Sequence, residues 1–327
     1  MRFKLTIQCE LCPKMCLIKP GQSGECRVRI NVDGVLRTVV YGYPCSIHID
    51  PVEKKPLFHF LPGTGILSIA TAGCNLHCLN CQNWQISQAN PEESQAVFCP
   101  PGKLVELANQ NHCPSIAYTY TDPIVYYEYT YDSAKLARDK GIRNVLVTAG
   151  YINEEPWKRL LEYVDAANID LKFISDDLYQ RICSGTLKPI QNALVLAKAS
   201  GVLVEVTNLV IPTLNDKPEQ IRELAHWIKA NLGSDTPLHF SGFYPQYKMK
   251  NLPSTSLQTL ETAREIAISE GLDYVYIGNV RSKEGENTYC PNCKNVLIER
   301  KGYTILQNRL KDGRCPDCNK EIYGVWK

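Results

Sequence analysis

Two hydrophobic periods alternate along the middle of the chain. Short apolar runs fall at Ile66–Ala70, Ser115–Tyr120, Asn144–Thr148, Asn168–Leu171, Leu203–Val210, Leu238–Phe243 and Tyr274–Ile277. Runs of this length, nearly continuous and bounded by polar or glycine residues, predict strands buried on both faces. Between them, apolar residues recur at helical spacing over Lys103–Asn111, Tyr126–Lys140, Glu154–Val164, Ile190–Ala199, Glu219–Leu232 and Ser256–Glu270. Gly141, Gly201 and Gly271 each follow a helical run, where a left-handed C-terminal cap is expected. Repeated strand–helix units imply an α/β fold with a parallel sheet wound into a full or partial barrel.

The flanks have a different texture. Residues 1–60 carry few long apolar runs. They contain one hairpin signal, Arg27–Asn31, then Asp33-Gly34, then Val35–Tyr41; Asp-Gly between apolar segments favours a type I′ turn. The stretch Asp50–Gly63 (DPVEKKPLFHFLPG) is proline-rich and reads as an irregular connector. Beyond residue 285 the sequence becomes polar and short-stranded. The expected division is a module over 1–60, a barrel over 61–285 and a second module over 286–327.

Composition narrows the function classes. Of 327 residues, 44% are hydrophobic and 21% charged, as in ordinary globular proteins. The formal net charge of +2 gives no global field for nucleic acid or an anionic membrane. No apolar run is long enough to span a bilayer. The start, Met1–Cys16, has charges and cysteines where a signal peptide would need an apolar core. The 15 cysteines fall mostly in three groups: Cys9, Cys12, Cys16 and Cys26; Cys74, Cys78 and Cys81; Cys290, Cys293, Cys315 and Cys318. Only Cys45, Cys99, Cys113 and Cys183 stand apart. Close C-x2-C pairs suit metal chelation better than a secreted disulfide scaffold, so a reducing, cytoplasmic setting is expected.

The middle group sits in SIATAGCNLHCLNCQNW, directly after the first barrel strand. Barrel active sites gather at that end of the strands. Three thiolates at C-x3-C-x2-C spacing can hold three irons of a cubane [4Fe–4S] cluster, which normally takes four cysteines. The fourth iron then stays open to the amino and carboxylate groups of S-adenosylmethionine (SAM). An electron from the cluster can break the sulfonium C–S bond and give a 5′-deoxyadenosyl radical, the protein supplying orientation and dryness. The competing reading is a zinc site with a remote fourth ligand such as His77, although zinc sites usually repeat C-x2-C pairs.

These residues resemble the radical SAM superfamily. Further segments, DPVEKKPLFHFLPG, AYTYTDP, ANIDLKF, TNLVIPTLND and HFSGFYP, resemble the AmmeMemoRadiSam system radical SAM enzymes and, nearby, the pyruvate formate-lyase activating enzymes. The resemblance runs from the N-terminal cysteines to about residue 282. It implies a partial (β/α)6 TIM-type barrel with small N- and C-terminal cysteine-rich modules. It also implies SAM contacts at Asp122, Asp170, Lys172, Asn208 and His239. Where many members carry Gly-Gly-Glu, this chain has Tyr120-Thr121-Asp122-Pro123, keeping the acid without the glycines. Asp122 is otherwise a turn residue before Pro123, Asp170 and Lys172 a strand-end ion pair, and His239 a satisfied core histidine. Tyr118 and Tyr120 read as barrel packing. Asn80 stands before the last cysteine, where an apolar or aromatic residue near the adenine is common.

At the C-terminus, Cys290-x2-Cys293 and Cys315-x2-Cys318 form two knuckles, a structural zinc pattern, with a rubredoxin-like iron as the rival. Arg300, Lys301, Arg309, Lys311 and Arg314 make this stretch locally basic and are expected on a solvated face. The N-terminal Cys9, Cys12, Cys16 and Cys26 supply ligands for zinc or an auxiliary iron–sulfur cluster, zinc being favoured because nothing here requires a second redox centre.

The expected function is reductive SAM cleavage and hydrogen abstraction from a substrate. Its subclasses are direct modification and activation of a glycyl radical enzyme. Expected partners are a reductant such as a flavodoxin or ferredoxin, and a partner protein of the AmmeMemoRadiSam system. The alternative from another class is a non-catalytic metal protein binding RNA or protein, which the near-neutral charge disfavours.

Overall fold

The structure, a computed structural model, describes residues 5–327; Met1–Lys4, the first part of the charged start, lie outside them. Four short strands open the chain: β1 (Ile7–Gln8) pairs with β2 (Leu17–Ile18), and β3 (Arg29–Val32) pairs with β4 (Val35–Thr38), all antiparallel. Asp33 and Gly34 both have positive φ, 50° and 88°, as the Asp-Gly turn requires.

The core is one eight-stranded sheet. Its strands are β5 (Ser46–Pro51), β6 (Gly65–Ala70), β7 (Ser115–Tyr118), β8 (Arg143–Thr148), β9 (Ala166–Asp170), β10 (Leu203–Val210), β11 (Leu238–Gly242) and β12 (Val275–Gly278). They lie side by side in that order, β6 to β12 all parallel and β5 antiparallel to β6. β5 and β12 do not pair, so the barrel stays open. Eight α-helices lie among the described residues: α1 (Trp84–Ser87), α2 (Pro101–Gln110), α3 (Tyr127–Asp139), α4 (Glu154–Leu161), α5 (Asp176–Leu178), α6 (Leu187–Ala199), α7 (Pro218–Leu232) and α8 (Leu257–Ser269). Gly141, Gly201 and Gly271 end α3, α6 and α8 at φ of 74°, 80° and 93°. No helix among the described residues is long and apolar enough to cross a membrane.

The connector departs from its sequence reading at its start. Asp50 and Pro51 finish β5, which shields one edge of the parallel sheet. The rest of the connector turns into the barrel. Asn168 donates to the Pro56 carbonyl (2.8 Å), and Glu205 accepts from the backbone N–H groups of Phe58 (3.1 Å) and His59 (2.8 Å). Leu57 and Phe60 are fully buried.

The C-terminal sheet, β13 (Thr288–Tyr289), β14 (Val296–Lys301) and β15 (Thr304–Asn308), packs on this plug. Phe58, Tyr274 and Tyr276 share a cluster with Leu297, Ile298 and Ile322. Arg300, expected on a solvated face, is instead buried. It stacks 4.3 Å from the Phe58 ring centroid and donates to the Phe58 carbonyl (2.8 Å) and the Thr288 hydroxyl (2.7 Å). Arg309 and Arg314 are held by Asp317 and Glu321. Lys301 and Lys311 are exposed, as expected of a solvated face.

Candidate active site and metal centres

The three-cysteine loop leaves the C-terminal end of β6. Gly73 turns the chain at φ 87°, and a Cβ there would lie 2.5 Å from the Cys26 carbonyl oxygen and 2.6 Å from Val28 Cγ1. Only glycine lets the loop and the N-terminal module meet so closely. Three other segments hold the loop. His77 N–H donates to the Cys183 carbonyl (3.0 Å) and Leu79 N–H to that of Ile182 (2.9 Å); Lys248 N–H donates to the Leu79 carbonyl (3.1 Å). Asn75 donates to the Tyr151 carbonyl (2.7 Å).

The segment carrying Ile182 and Cys183 is a π-helical turn, Tyr179–Cys183, continuing α5. Such turns gather at functional sites. It brings the buried Cys183 thiol against Cys78. Sequence reading missed both features: Cys183 stands alone in the chain, and a π turn has no hydrophobic period of its own.

The three thiols resist ionisation. Burial pushes Cys74 well up, and Asp122 adds to it; Cys78 is raised by its hydrogen bond with Cys183 and then by burial; burial raises Cys81 against a 3.2 Å contact with the Ser87 hydroxyl. Thiolates in such surroundings need a cation, and bound metal supplies it. Buried, unpartnered Asn80 Oδ1 in the same loop adds an unfilled polar position. The donor set and its surroundings thus fit a bound iron cluster. His77 does not complete a zinc site: its Nδ1 meets Gln88 Oε1 at 2.9 Å and its Nε2 lies 3.7 Å from Glu25.

Lys172 follows the end of β9 with its side chain 20% exposed, its Nζ 2.5 Å from Asp170 Oδ2. Burial works against its charge, but Asp170, Cys78 and Cys183 outweigh that and raise its pKa well above the usual lysine value. Asn208, 2% exposed, donates to the carbonyls of Leu171 (2.7 Å) and Lys172 (3.2 Å) and so fixes the backbone that carries the lysine. Tyr179 OH accepts from Lys172 N–H (2.8 Å).

Asp122 is buried and already engaged. Its carboxylate accepts from Thr148 Oγ1 (2.8 Å), Ala149 N–H (3.0 Å) and Ile124 N–H (3.1 Å), tying the turn after β7 to the end of β8. Burial still raises its pKa against those bonds. Two residues earlier Tyr120 has φ 64°, a conformation glycine adopts freely. Its hydroxyl bonds Asp50, and Lys55 lies 4.4 Å from its ring centroid. Tyr118 is fully buried and donates to Asn144 (3.2 Å).

His239 makes no contact with this group and takes the place of a hydrogen-bonded core histidine. It is the second residue of β11, near the strand's N-terminal end, and its Nε2 lies 2.6 Å from Glu205 Oε2. Phe58 meets its ring edge-on and Tyr276 stacks on it. It belongs to the network beneath the connector. A histidine in a strand gives no sequence signal for which end of the barrel it serves.

The C-terminal quartet converges tightly. Cys290 and Cys318 sulfurs are 3.5 Å apart, Cys293 and Cys315 3.6 Å, and all four lie within 4.8 Å of one another. Tetrahedral zinc with bonds of about 2.3 Å requires sulfurs roughly 3.8 Å apart. Each knuckle closes alike, Lys294 and Asn319 donating back to Cys290 and Cys315 at positive φ. Among the described residues no other group gathers three ligands so closely.

Known proteins bear on this arrangement at three levels. Residues 68–228 match the Radical SAM superfamily. The chain is 49% identical to an uncharacterized protein of Methanocaldococcus jannaschii, over 97% of this chain and 95% of that one. It is 25% identical to a pyruvate formate-lyase-activating enzyme of Clostridium pasteurianum, over 51% of this chain and 71% of that one. In fold it is similar to a radical SAM methyltransferase from Sphaerobacter thermophilus, with a TM-score of 0.52, 14% identity and 68% of each chain covered. It is also similar to SuiB of Streptococcus suis bound to its precursor peptide SuiA, with a TM-score of 0.53, 14% identity, and 70% of this chain and 51% of that one covered. With three cysteines on the first βα loop of an open parallel barrel, and with these relatives, the chain belongs to the radical SAM superfamily.

Proposed function

We propose that Cys74, Cys78 and Cys81 ligate a [4Fe–4S] cluster and that the chain uses it to cleave SAM and oxidise a substrate C–H bond. When bound, the cluster and SAM supply one-electron cleavage of the sulfonium and hence the hydrogen-abstracting radical. The protein's part is placement and exclusion of water. Gly73 and the π turn fix the loop, and Asn208 fixes Lys172. Lys172 offers its ammonium to the SAM carboxylate, and Asp170 orients Lys172 or binds the ribose. Asp122 holds the turn facing the methionine end.

The observation that carries this reading is the three-thiol loop at the C-terminal mouth beside Lys172. A ferredoxin- or flavodoxin-class donor would supply the electron. The similarity to a pyruvate formate-lyase-activating enzyme supports one subclass, in which the abstracted hydrogen belongs to a glycine of a partner protein. The sulfur spacing of the C-terminal quartet supports a single tetrahedral metal there, for which structural zinc is the reading proposed.

Electron paramagnetic resonance tests the open iron. The reduced, reconstituted chain should give a [4Fe–4S] signal that shifts when SAM is added. A fully loaded central cluster indifferent to saturating SAM would sink the proposal.

A further inference from the structure

The N-terminal quartet differs from the C-terminal one in size. Its four sulfurs do not gather within the 4.8 Å that the zinc-like group satisfies. Instead Cys9, Cys12, Cys16 and Cys26 together line a cavity of about 20 Å³. That exceeds the roughly 10–15 Å³ that admits a water-sized sphere. A closed zinc site has no such room. Its centre lies about 2.3 Å from each sulfur, well inside the ~3.5 Å contact of non-bonded atoms. We propose that this quartet holds a second [4Fe–4S] cluster, closed by four thiolates, and not a single zinc ion.

The walls suit a cluster. Ile18, Ile124 and Val125 are buried and close the cavity with apolar surface. Arg29, 8% exposed, also lines it; one guanidinium nitrogen pairs with Glu128 (2.7 Å) while its buried Nε has no hydrogen-bond partner. An unspent N–H donor beside the sulfurs suits an anionic cluster, whose potential such hydrogen bonds tune.

The position suits an electron carrier. Asn75 lines the cavity, with its buried Oδ1 unpartnered, and it is the next residue after Cys74. The Cys26 carbonyl packs against Gly73 on the other side. The second cluster therefore lies directly behind the catalytic loop. Four thiolates leave no iron open for SAM, so its chemistry is gain and loss of one electron. It takes that electron from a ferredoxin- or flavodoxin-class donor and passes it to the cluster at Cys74. This relay role rests on the proposed central cluster; the presence of the second cluster does not.

The test is the full-length triple variant Cys74→Ala, Cys78→Ala, Cys81→Ala, reconstituted anaerobically with iron and sulfide and offered zinc. It should retain about four irons and four sulfides per chain, with a Mössbauer spectrum of a cubane and a reduced signal that SAM leaves unchanged. About two zinc ions per chain with no cluster iron would overturn the proposal. The wild type separates the two readings: about eight irons support both clusters. About four irons responsive to SAM remove only the second cluster. Four unresponsive irons that Cys12→Ala with Cys26→Ala abolishes support the second cluster and remove the central one.

Discussion

Replacing Gly73 with alanine perturbs the point where the N-terminal module meets the three-cysteine loop. At φ 87° an L-residue incurs about 1–2 kcal/mol of backbone strain. The new Cβ would also stand 2.5 Å from the Cys26 carbonyl oxygen and 2.6 Å from Val28 Cγ1. Normal contact is about 3.5 Å or more, so the module must retreat by about an ångström. Overpacking of that kind costs about 1–3 kcal/mol. The sum, roughly 2–5 kcal/mol, is a large part of the 5–15 kcal/mol that stabilises a typical domain. Urea unfolding followed by circular dichroism should therefore show a markedly lower midpoint, and the purified variant should carry less iron. Gly102→Ala is the control. Gly102 lies in α2 with nothing within 4 Å of a new Cβ, so its variant should unfold no earlier than wild type. Equal midpoints and equal iron for Gly73→Ala and wild type would refute the claimed contact.

Lys172→Gln removes the cation beside the loop and should raise the KM for SAM about tenfold, as loss of one charge-assisted hydrogen bond does; steady-state 5′-deoxyadenosine formation reads it, and an unchanged KM would clear Lys172 of SAM binding. Cys315→Ser should release about one zinc per chain and change Trp326 fluorescence while central iron is kept; metal analysis checks both, and loss of the central cluster would contradict the separation of the sites. Complete burial lowers the His59 pKa to about 4 from an ordinary 6.5, outweighing Glu205 and the Tyr323 carbonyl, which favour the charged ring. The unfolded chain then protonates first, so His59 should be silent above about pH 7 and should lower stability as pH falls from 6.5 toward 4, by up to about 3 kcal/mol. Urea midpoints across that range should slope downward, and His59→Gln should flatten the slope; an equal slope would place the titrating group elsewhere.

The parallel strands were legible because each is buried on both faces and so reads as a continuous apolar run. β5 was not, since Ser46, His48 and Asp50 alternate with Ile47 and Ile49 and no run forms. The three-cysteine loop carried its own spacing and its place after β6. The π turn with Cys183 carried neither, because its meaning comes from carbonyls offered to the loop across the barrel mouth. His239 and Arg300 show the same limit. A polar residue in an apolar strand signals a buried partner, but only the packing of the connector identifies Glu205 for one and Phe58 for the other. The two cysteine quartets look alike as ligand lists, and differ only once their sulfur spacing is known.

The central claim is that Cys74, Cys78 and Cys81 support reductive cleavage of SAM. Its most direct test is chromatography for 5′-deoxyadenosine after the reconstituted, reduced chain is incubated anaerobically with SAM. The account predicts product from wild type and none from Cys78→Ala, even when other iron is retained. No product from a wild type with its central cluster fully loaded, or equal product from Cys78→Ala, would contradict it.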